Sequence, residues 1–169
     1  VPKQFGTFFI IFFLTIFGHH IKHTKMYNTN LSLHSGFAYI ALLIIVIALI
    51  NALIGFSSKN PFTAKDRRIS LFALIAAHIQ LLIGMILWFV SPNGLDKIKA
   101  LGMGGMDSFS RLLAVEHPFI NIIAIVLITI GWSRHKKLQD AAQFKSIAIF
   151  YGIGLVLLLS RLPWATWFS

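Results

Sequence analysis

Four apolar segments, each close to the length that crosses a lipid bilayer, constrain the fold of this chain more than any other feature. They cover about residues 31–56, 69–90, 112–132 and 147–162. A membrane-spanning helix needs about 20 apolar residues, and irregular backbone cannot face lipid because its polar groups would lack partners. We therefore expect an all-α integral membrane protein, an antiparallel four-helix bundle with short connections.

The composition agrees with this class. Only 12% of the residues are charged, against about 25% in soluble domains, so a separate soluble domain has little room. The chain has no cysteine, which excludes disulfides, iron–sulfur clusters and c-type haem attachment. The net charge of +10 does not indicate nucleic-acid binding, because the Lys and Arg residues lie mainly in short loops, where they set topology and meet anionic lipid headgroups.

The basic loops predict the orientation in the membrane. Residues 57–68 and 133–145 each carry four Lys or Arg side chains, so both loops should be cytoplasmic by the positive-inside rule. The longer, glycine-rich loop at 91–111 and the carboxyl terminus should then lie on the outer side.

The first 25 residues form a hydrophobic leader of uncertain nature. Their apolar run of about 13 residues is short for a span and resembles a signal peptide or anchor without a clear cleavage site. We favour an over-extended gene start with Met26 as the true first residue, and the alternative is a fifth, amino-terminal helix. In either case residues 26–169 form a single membrane domain.

Three histidines lie within or at the edge of the apolar segments: His34, His78 and His117. Ionisable groups are costly in a bilayer core, so they are candidates for a functional site, and histidine is the usual protein ligand for haem iron. The pattern predicts haem b bound through these three residues as metal ligands. A histidine near a helix end can also simply lie at the membrane interface.

The rise of 1.5 Å per residue places the histidines at different depths. His34 and His117 lie about three and five residues inside the outer ends of their helices, so their heights agree within roughly 3–5 Å. His78 lies roughly 18 Å below the outer end of its helix. We therefore expect His34 and His117 to pair, with His78 serving a deeper haem or a core hydrogen bond. A pairing of His78 with His117 stays open.

Mostly small residues follow both paired histidines along one helical face. The two faces are His34, Ala38, Ala41, Ala48, Ala52 and Gly55, and His117, Asn121, Ala124, Ile128 and Gly131. Such faces admit either a flat cofactor or a closely packed helix.

Charged and amide side chains complete the candidate site. Arg111 and Arg161 are expected on the outer side, where arginine could bind haem propionates or extend to the interface. Glu116 could orient a ligand histidine, more readily His34 than His117, or pair with Arg111. Interhelical hydrogen bonds are expected for the remaining polar residues of the spans: Asn51, Gln80, Asn121 and Ser160.

Four stretches carry a resemblance to a known family: LHSGFAYIALL, PFTAKDRRISLFALIAAHIQLLIGMILWFVSP, VEHPFINIIAIVLITIGWSRHKK and IAIFYGIGLVLLLSRLPW. The chain resembles, over residues 26–164, small membrane proteins of Bacteroidota-type bacteria labelled "cytochrome b" or left uncharacterised. The resemblance implies a multi-pass protein of the bacterial inner (cytoplasmic) membrane, with the outer loop periplasmic. It also implies b-type haem at matching positions, which are His34, His78, His117, Arg111, Glu116 and Arg161.

Three functions follow as hypotheses. The first is a b-type cytochrome that transfers electrons between a quinol pool and a respiratory-chain or other membrane-complex partner. The second is a haem-free structural or assembly subunit, and the third is a small transporter with His78 and Gln80 in its pathway. The chain shows no nucleophile–base set, phosphate loop or paired carboxylates, so neither a hydrolase nor a transferase is expected and no catalytic residue is assigned.

Overall fold

The computed structural model describes the backbone of residues 2–167 and the side chains of residues 24–166. Seven α-helices form in this range: α1 (Pro2–Ser57), α2 (Ala64–Val90), α3 (Leu95–Leu101), α4 (Ser108–Arg111), α5 (His117–His135), α6 (Ala141–Ser160) and α7 (Trp164–Trp167). A π-helical segment, Leu112–Glu116, joins α4 to α5. No strand occurs within the range, so the all-α prediction is confirmed. The predicted leader lies outside the described side chains except for its last two residues.

Four stretches of these helices are long and apolar enough to cross a membrane: Thr24–Ser57, Ala64–Leu101, Ser108–His135 and Ala141–Ser160. They contain the first three predicted segments and cover the fourth as far as Ser160, and they make this a multi-pass membrane protein. The side chains that point away from the bundle are largely apolar, among them Leu43, Leu82, Phe119 and Val156. These residues form the surface that contacts the lipid bilayer.

The four long helices surround one axis. Helix α1 packs against α2 and α6, and α5 packs against the same two helices. Helices α1 and α5 therefore lie diagonally opposite each other, as do α2 and α6. Short turns at 58–63 and 136–140 join neighbouring helices, which makes those neighbours antiparallel.

Large side chains of α6 close the axis at the end where these two turns lie. Phe144 and Tyr151 are fully buried and share one core with Ala52 of α1 and Ala73 of α2. A Cβ atom on Gly55 would lie 2.3 Å from the ring of Phe144, so the ring occupies space that only glycine leaves. The Tyr151 hydroxyl donates to the backbone oxygen of Ser70, 2.8 Å away, and links α6 to α2 across the axis.

Asn51 and Ser160, both predicted to form interhelical hydrogen bonds, differ in their partners. Asn51 Nδ2 of α1 donates to Asp66 Oδ1 of α2 over 2.9 Å, which confirms the prediction for Asn51. Asp66 also accepts from the backbone N–H of Thr63 and so caps α2. The prediction for Ser160 was wrong, because its hydroxyl donates to Leu157 O within α6. A local carbonyl is a competing partner for any serine in a helix.

The helices begin earlier than hydropathy predicts. Helix α2 starts at Ala64 instead of residue 69, and α6 starts at Ala141 instead of residue 147, because the polar residues of the turns continue the helices beyond the apolar core.

The third span starts at Ser108, where Asp107 accepts hydrogen bonds from the N–H groups of Phe109 and Ser110. Hydrogen bonds from Ser110 lower the pKa of the Asp107 carboxyl below its ordinary value, so the cap is ionised at neutral pH.

Two glycines on α6 should respond differently to one added methyl group. A Cβ on Gly154 would lie 2.7 Å from Ile128 Cγ1 and 3.1 Å from the backbone oxygen of Ala124, whereas a Cβ on Gly152 meets only Leu49 Cδ1 at 3.6 Å. We expect Gly154→Ala to lower the free energy of unfolding by about 1–3 kcal/mol because α5 and α6 must separate.

Gly152→Ala is the matched control, and it should leave stability unchanged or raise it by about 0.5–1 kcal/mol through helix propensity. Unfolding in mixed detergent micelles measures both variants. Equal stability of the two would contradict the close α5–α6 contact.

Candidate functional site

A cavity of about 450 Å³ lies within the bundle at the end opposite the two short turns. We call it the axial cavity. Its lining residues on α1 run from Tyr27 to Ile45, which is about 27 Å of helix at 1.5 Å per residue. The volume falls within the roughly 300–1,000 Å³ typical of small-molecule sites.

The small residues predicted along α1 serve both purposes that the sequence left open. Ala38 and Ala41 line the axial cavity, so this part of the face leaves room for a ligand. Ala48 and Ala52 lie in the packed core. The boundary between the axial cavity and the packed core lies near Ile45, which belongs to both.

His34 and His117 face each other in the axial cavity. Their ring centroids are 6.1 Å apart, and the ring planes are inclined by 83°. Since α1 and α5 lie diagonally opposite each other, the two histidine side chains meet across the bundle axis. The close approach confirms the matched heights that the helical rise predicts.

Residues of α2 hold His34 in place. Gln80 Nε2 donates to the backbone oxygen of His34 over 2.9 Å and lies 3.1 Å from its Nδ1 atom, which confirms the interhelical hydrogen bond predicted for Gln80. One turn further along α2, a Cβ on Gly84 would lie 2.9 Å from His34 Cε1. Glycine at this position therefore lets the imidazole ring lie directly against the α2 backbone.

His117 is held by two groups. Its Nδ1 atom lies 2.7 Å from the backbone oxygen of Arg161, just after α6. Its Nε2 atom lies 3.0 Å from Nδ2 of Asn121. The prediction of an interhelical bond for Asn121 was wrong, because its partner lies one turn away on the same helix.

Two buried oxygens near these histidines have no donor within the described part of the chain. They are Oε1 of Gln80 and Oδ1 of Asn121, and both residues line the axial cavity. An unpaired buried acceptor costs free energy, so native proteins rarely leave one without protein or water as a partner. Both oxygens are enclosed by the bundle, so an ordered water or a small shift of a neighbouring donor would stabilise them.

The π-helical segment before His117 has a cause in the sequence. Pro118 lacks an N–H group, so the backbone oxygen of Ala114, four residues earlier, has no donor at the usual helical position. Trp88 Nε1 donates to that oxygen over 2.8 Å. The indole therefore joins α2 to the backbone directly before His117. The HP dipeptide was the available signal for this feature, and π-helical turns often occur at functional sites.

Glu116 bridges the two candidate arginines. Its Oε1 atom is 2.9 Å from Arg111 Nε, and its Oε2 atom is 3.4 Å from Arg161 Nε. The expected pairing with Arg111 is therefore present, and the carboxylate contacts arginines instead of orienting a histidine ring. These three side chains are partly exposed and lie beside the axial cavity without lining it.

His78 lies apart from this site. Its Nδ1 atom is 2.9 Å from Leu74 O, and its Nε2 atom is 3.5 Å from Thr129 Oγ1 of α5. His78 thus meets α5 through Thr129 and not through His117. Among residues 24–166, no three His, Asp or Glu side chains come together as a metal site, so the three histidines do not form one ligand set.

No protein-family model, no curated protein and no solved structure matches this chain. The function is accordingly inferred from the chemistry of the axial cavity. That chemistry consists of two facing histidines, two amides with unpaired oxygens, and walls that are otherwise mainly apolar.

A methyl group at Gly84 should displace the His34 ring. We expect Gly84→Ala to shift the NMR signal of the His34 Cε1–H group. We also expect its free energy of unfolding to be about 1 kcal/mol lower than that of its control, because an off-rotamer side chain costs about this much. Gly36→Ala on α1 is that control, since nothing lies within 4 Å of its added Cβ. An unchanged His34 signal in Gly84→Ala would contradict the contact.

Proposed function

We propose that this protein is a membrane b-type cytochrome that holds one haem b between His34 and His117. The 6.1 Å separation of the two ring centroids carries the proposal. Metal–imidazole bonds are about 2 Å long, and each nitrogen lies about 1 Å from its ring centre. Two histidines that both bind one iron would therefore have ring centres about 6 Å apart, and the observed distance agrees with that spacing.

The surroundings of the pair also fit a haem. The axial cavity reaches past the histidines to Ile45, Ala77 and Ile125, and these apolar walls suit the hydrophobic edge of a macrocycle. The Nδ1 atom of His117 faces a backbone carbonyl. Metal-binding histidines usually donate their second N–H in this way, which leaves Nε2 for the metal.

The arginines beside the axial cavity suit the other edge of a haem, which carries two propionates. Glu116 contacts the Nε atoms of Arg111 and Arg161. A guanidinium has five N–H donors, so each arginine keeps donors for a further carboxylate. The three side chains together retain one positive charge, which favours an anionic group at this place.

Bound haem would supply one-electron chemistry. His34 and His117 would both bind the haem, and a haem held by two protein ligands would favour electron transfer over oxygen chemistry. We propose that the electrons pass between a quinol pool and a respiratory-chain or other membrane-complex partner.

We further propose the bacterial inner membrane as the location, with the turns at 58–63 and 136–140 in the cytoplasm. The basic residues at these turns support this orientation. Lys136 lies 5.1 Å from the ring centre of Trp132, and Arg134 lies 5.7 Å from that of Phe150. Cations beside aromatic rings at a helix end suit the interfacial layer of a membrane.

A dithionite-reduced minus oxidised absorption spectrum of the purified protein tests the proposal. We expect one haem per chain and an α-band near about 560 nm, as for low-spin b haem with two histidine ligands. His117→Ala should abolish haem retention. His78→Ala is the control and should keep the band, because His78 lies outside the axial cavity.

Purified protein that stays folded yet carries no haem, even from haem-supplemented cells, would refute the cytochrome. The haem-free structural subunit would then be the leading function. Its specific support is that each of the two histidines already contacts an amide of the bundle, and Glu116 already pairs with both arginines.

A further inference from the structure

His135 lies at the end of the bundle opposite the axial cavity, where the turns at 58–63 and 136–140 lie, and its side chain is fully buried. The centre of its ring is 4.4 Å from that of Trp132 and 5.4 Å from that of Phe62. The Phe62 ring in turn lies 4.8 Å from the ring of Phe144 in the packed core. His135 therefore connects the end of α5 with the turn between α1 and α2.

One ring nitrogen of His135 has no hydrogen-bond partner. The Nδ1 atom contacts the backbone oxygen of Trp132, which can only accept, so Nδ1 carries the hydrogen. The Nε2 atom then has a lone pair, and this buried atom has no donor within the described part of the chain. An unpaired buried acceptor costs free energy, and a phenylalanine ring would fill the same space without that cost. Packing alone does not explain a histidine at this position.

The backbone of His135 holds the second turn. Gln143 Nε2 of α6 donates to the backbone oxygen of His135 over 3.1 Å. The backbone nitrogen of Leu138 donates to the same oxygen over 3.2 Å. A displacement of His135 would therefore loosen both turns, 58–63 through Phe62 and 136–140 through Leu138.

The charged groups at this end oppose a second hydrogen on the His135 ring. Arg67 of α2 and Lys136 act on the ring as like charges, whereas Asp66 and Asp140 form no ion pair with it in the described part of the chain. A protonated ring would be a buried cation beside other cations, without an acceptor for Nε2–H. The remaining charged residues of this end are basic: Lys59, Lys65, Arg68, Arg134, Lys137 and Lys145.

We infer that His135 is a proton-sensitive switch, which keeps the two turns closed while its ring is neutral and opens them when Nε2 takes up a proton. The proton comes from water and binds to the Nε2 lone pair, and no other covalent bond changes. The imidazolium is stabilised when the ring moves into water, and this movement separates it from Phe62. Opening is therefore coupled to the uptake of one proton, so acidification favours it. The switch is independent of the proposed haem, because His135 does not line the axial cavity.

Hydrogen–deuterium exchange, followed by NMR on the full chain in detergent micelles, tests the switch. The quantity compared is the protection factor, which corrects for the pH dependence of the intrinsic exchange rate. We expect the protection factor of the Leu138 N–H group to be about tenfold lower at about pH 5.5 than at about pH 7.5, because a water-exposed histidine takes up its proton near about pH 6.5. The Arg67 N–H group, which donates to Thr63 O beside Phe62, should lose protection in parallel.

Two variants remove the titrating group. His135→Phe should keep the turns closed and abolish the pH dependence at both N–H groups, because phenylalanine fills a similar space and does not titrate. His135→Gln is neutral at both pH values and gives the same test if the phenylalanine variant does not fold. His78→Phe is the matched control and should keep the tenfold change, because His78 contacts Leu74 and Thr129 instead of this end.

Two results would overturn the switch. One is a wild-type protection factor at Leu138 that stays constant between the two pH values, as an ordered water accepting from Nε2–H would produce. The other is a wild-type change that persists unaltered in His135→Phe or His135→Gln. Neither result bears on the proposed cytochrome, which the haem band tests separately.

Discussion

Size complementarity between α6 and the helices around it determines where this bundle is closed and where it is open. Lipid tails are as apolar as the helices, so close packing and not water exclusion holds such a bundle together. Phe144 and Tyr151 of α6 fill the axis at one end, against alanine and glycine on the facing helices. Towards the other end the facing positions remain small, and the axial cavity results.

Residues on one face of α2 position the two histidines of the site. Gln80, Gly84 and Trp88 are spaced four residues apart and therefore share this face. Gln80 binds His34, Gly84 makes room for its ring, and Trp88 binds the backbone just before His117. A single helix thus positions both histidines, although neither histidine belongs to it.

The sequence predicted those parts of the fold that depend on one helix at a time. Hydropathy located the four spans, and the rise per residue matched the heights of His34 and His117. The failures involve competition between local and distant partners. Asn121 and Ser160 found partners on their own helices, whereas Asn51 and Gln80 bonded across to a neighbour. Which partner wins depends on helix rotation, and hydropathy does not contain that information.

The ion pair between Glu116 and Arg161 could not be predicted from the sequence for a similar reason. Its contact with Arg161 depends on how the end of α6 lies beside the start of α5, and loop lengths alone do not determine that placement. The effect of Pro118, in contrast, could be predicted. Proline has no N–H group, so the sequence alone shows that Ala114 O needs another donor. The donor itself, Trp88, belongs to a separate helix and could be identified only in three dimensions.

The position of the axial cavity also has a volumetric consequence. Hydrostatic pressure favours states that eliminate internal voids, and the volume change scales with the void removed. To the extent that the axial cavity of about 450 Å³ is shielded from water, its end of the bundle has more volume to lose under pressure than the aromatic-filled end. An occupant of the axial cavity would therefore make the two halves of the bundle mechanically alike.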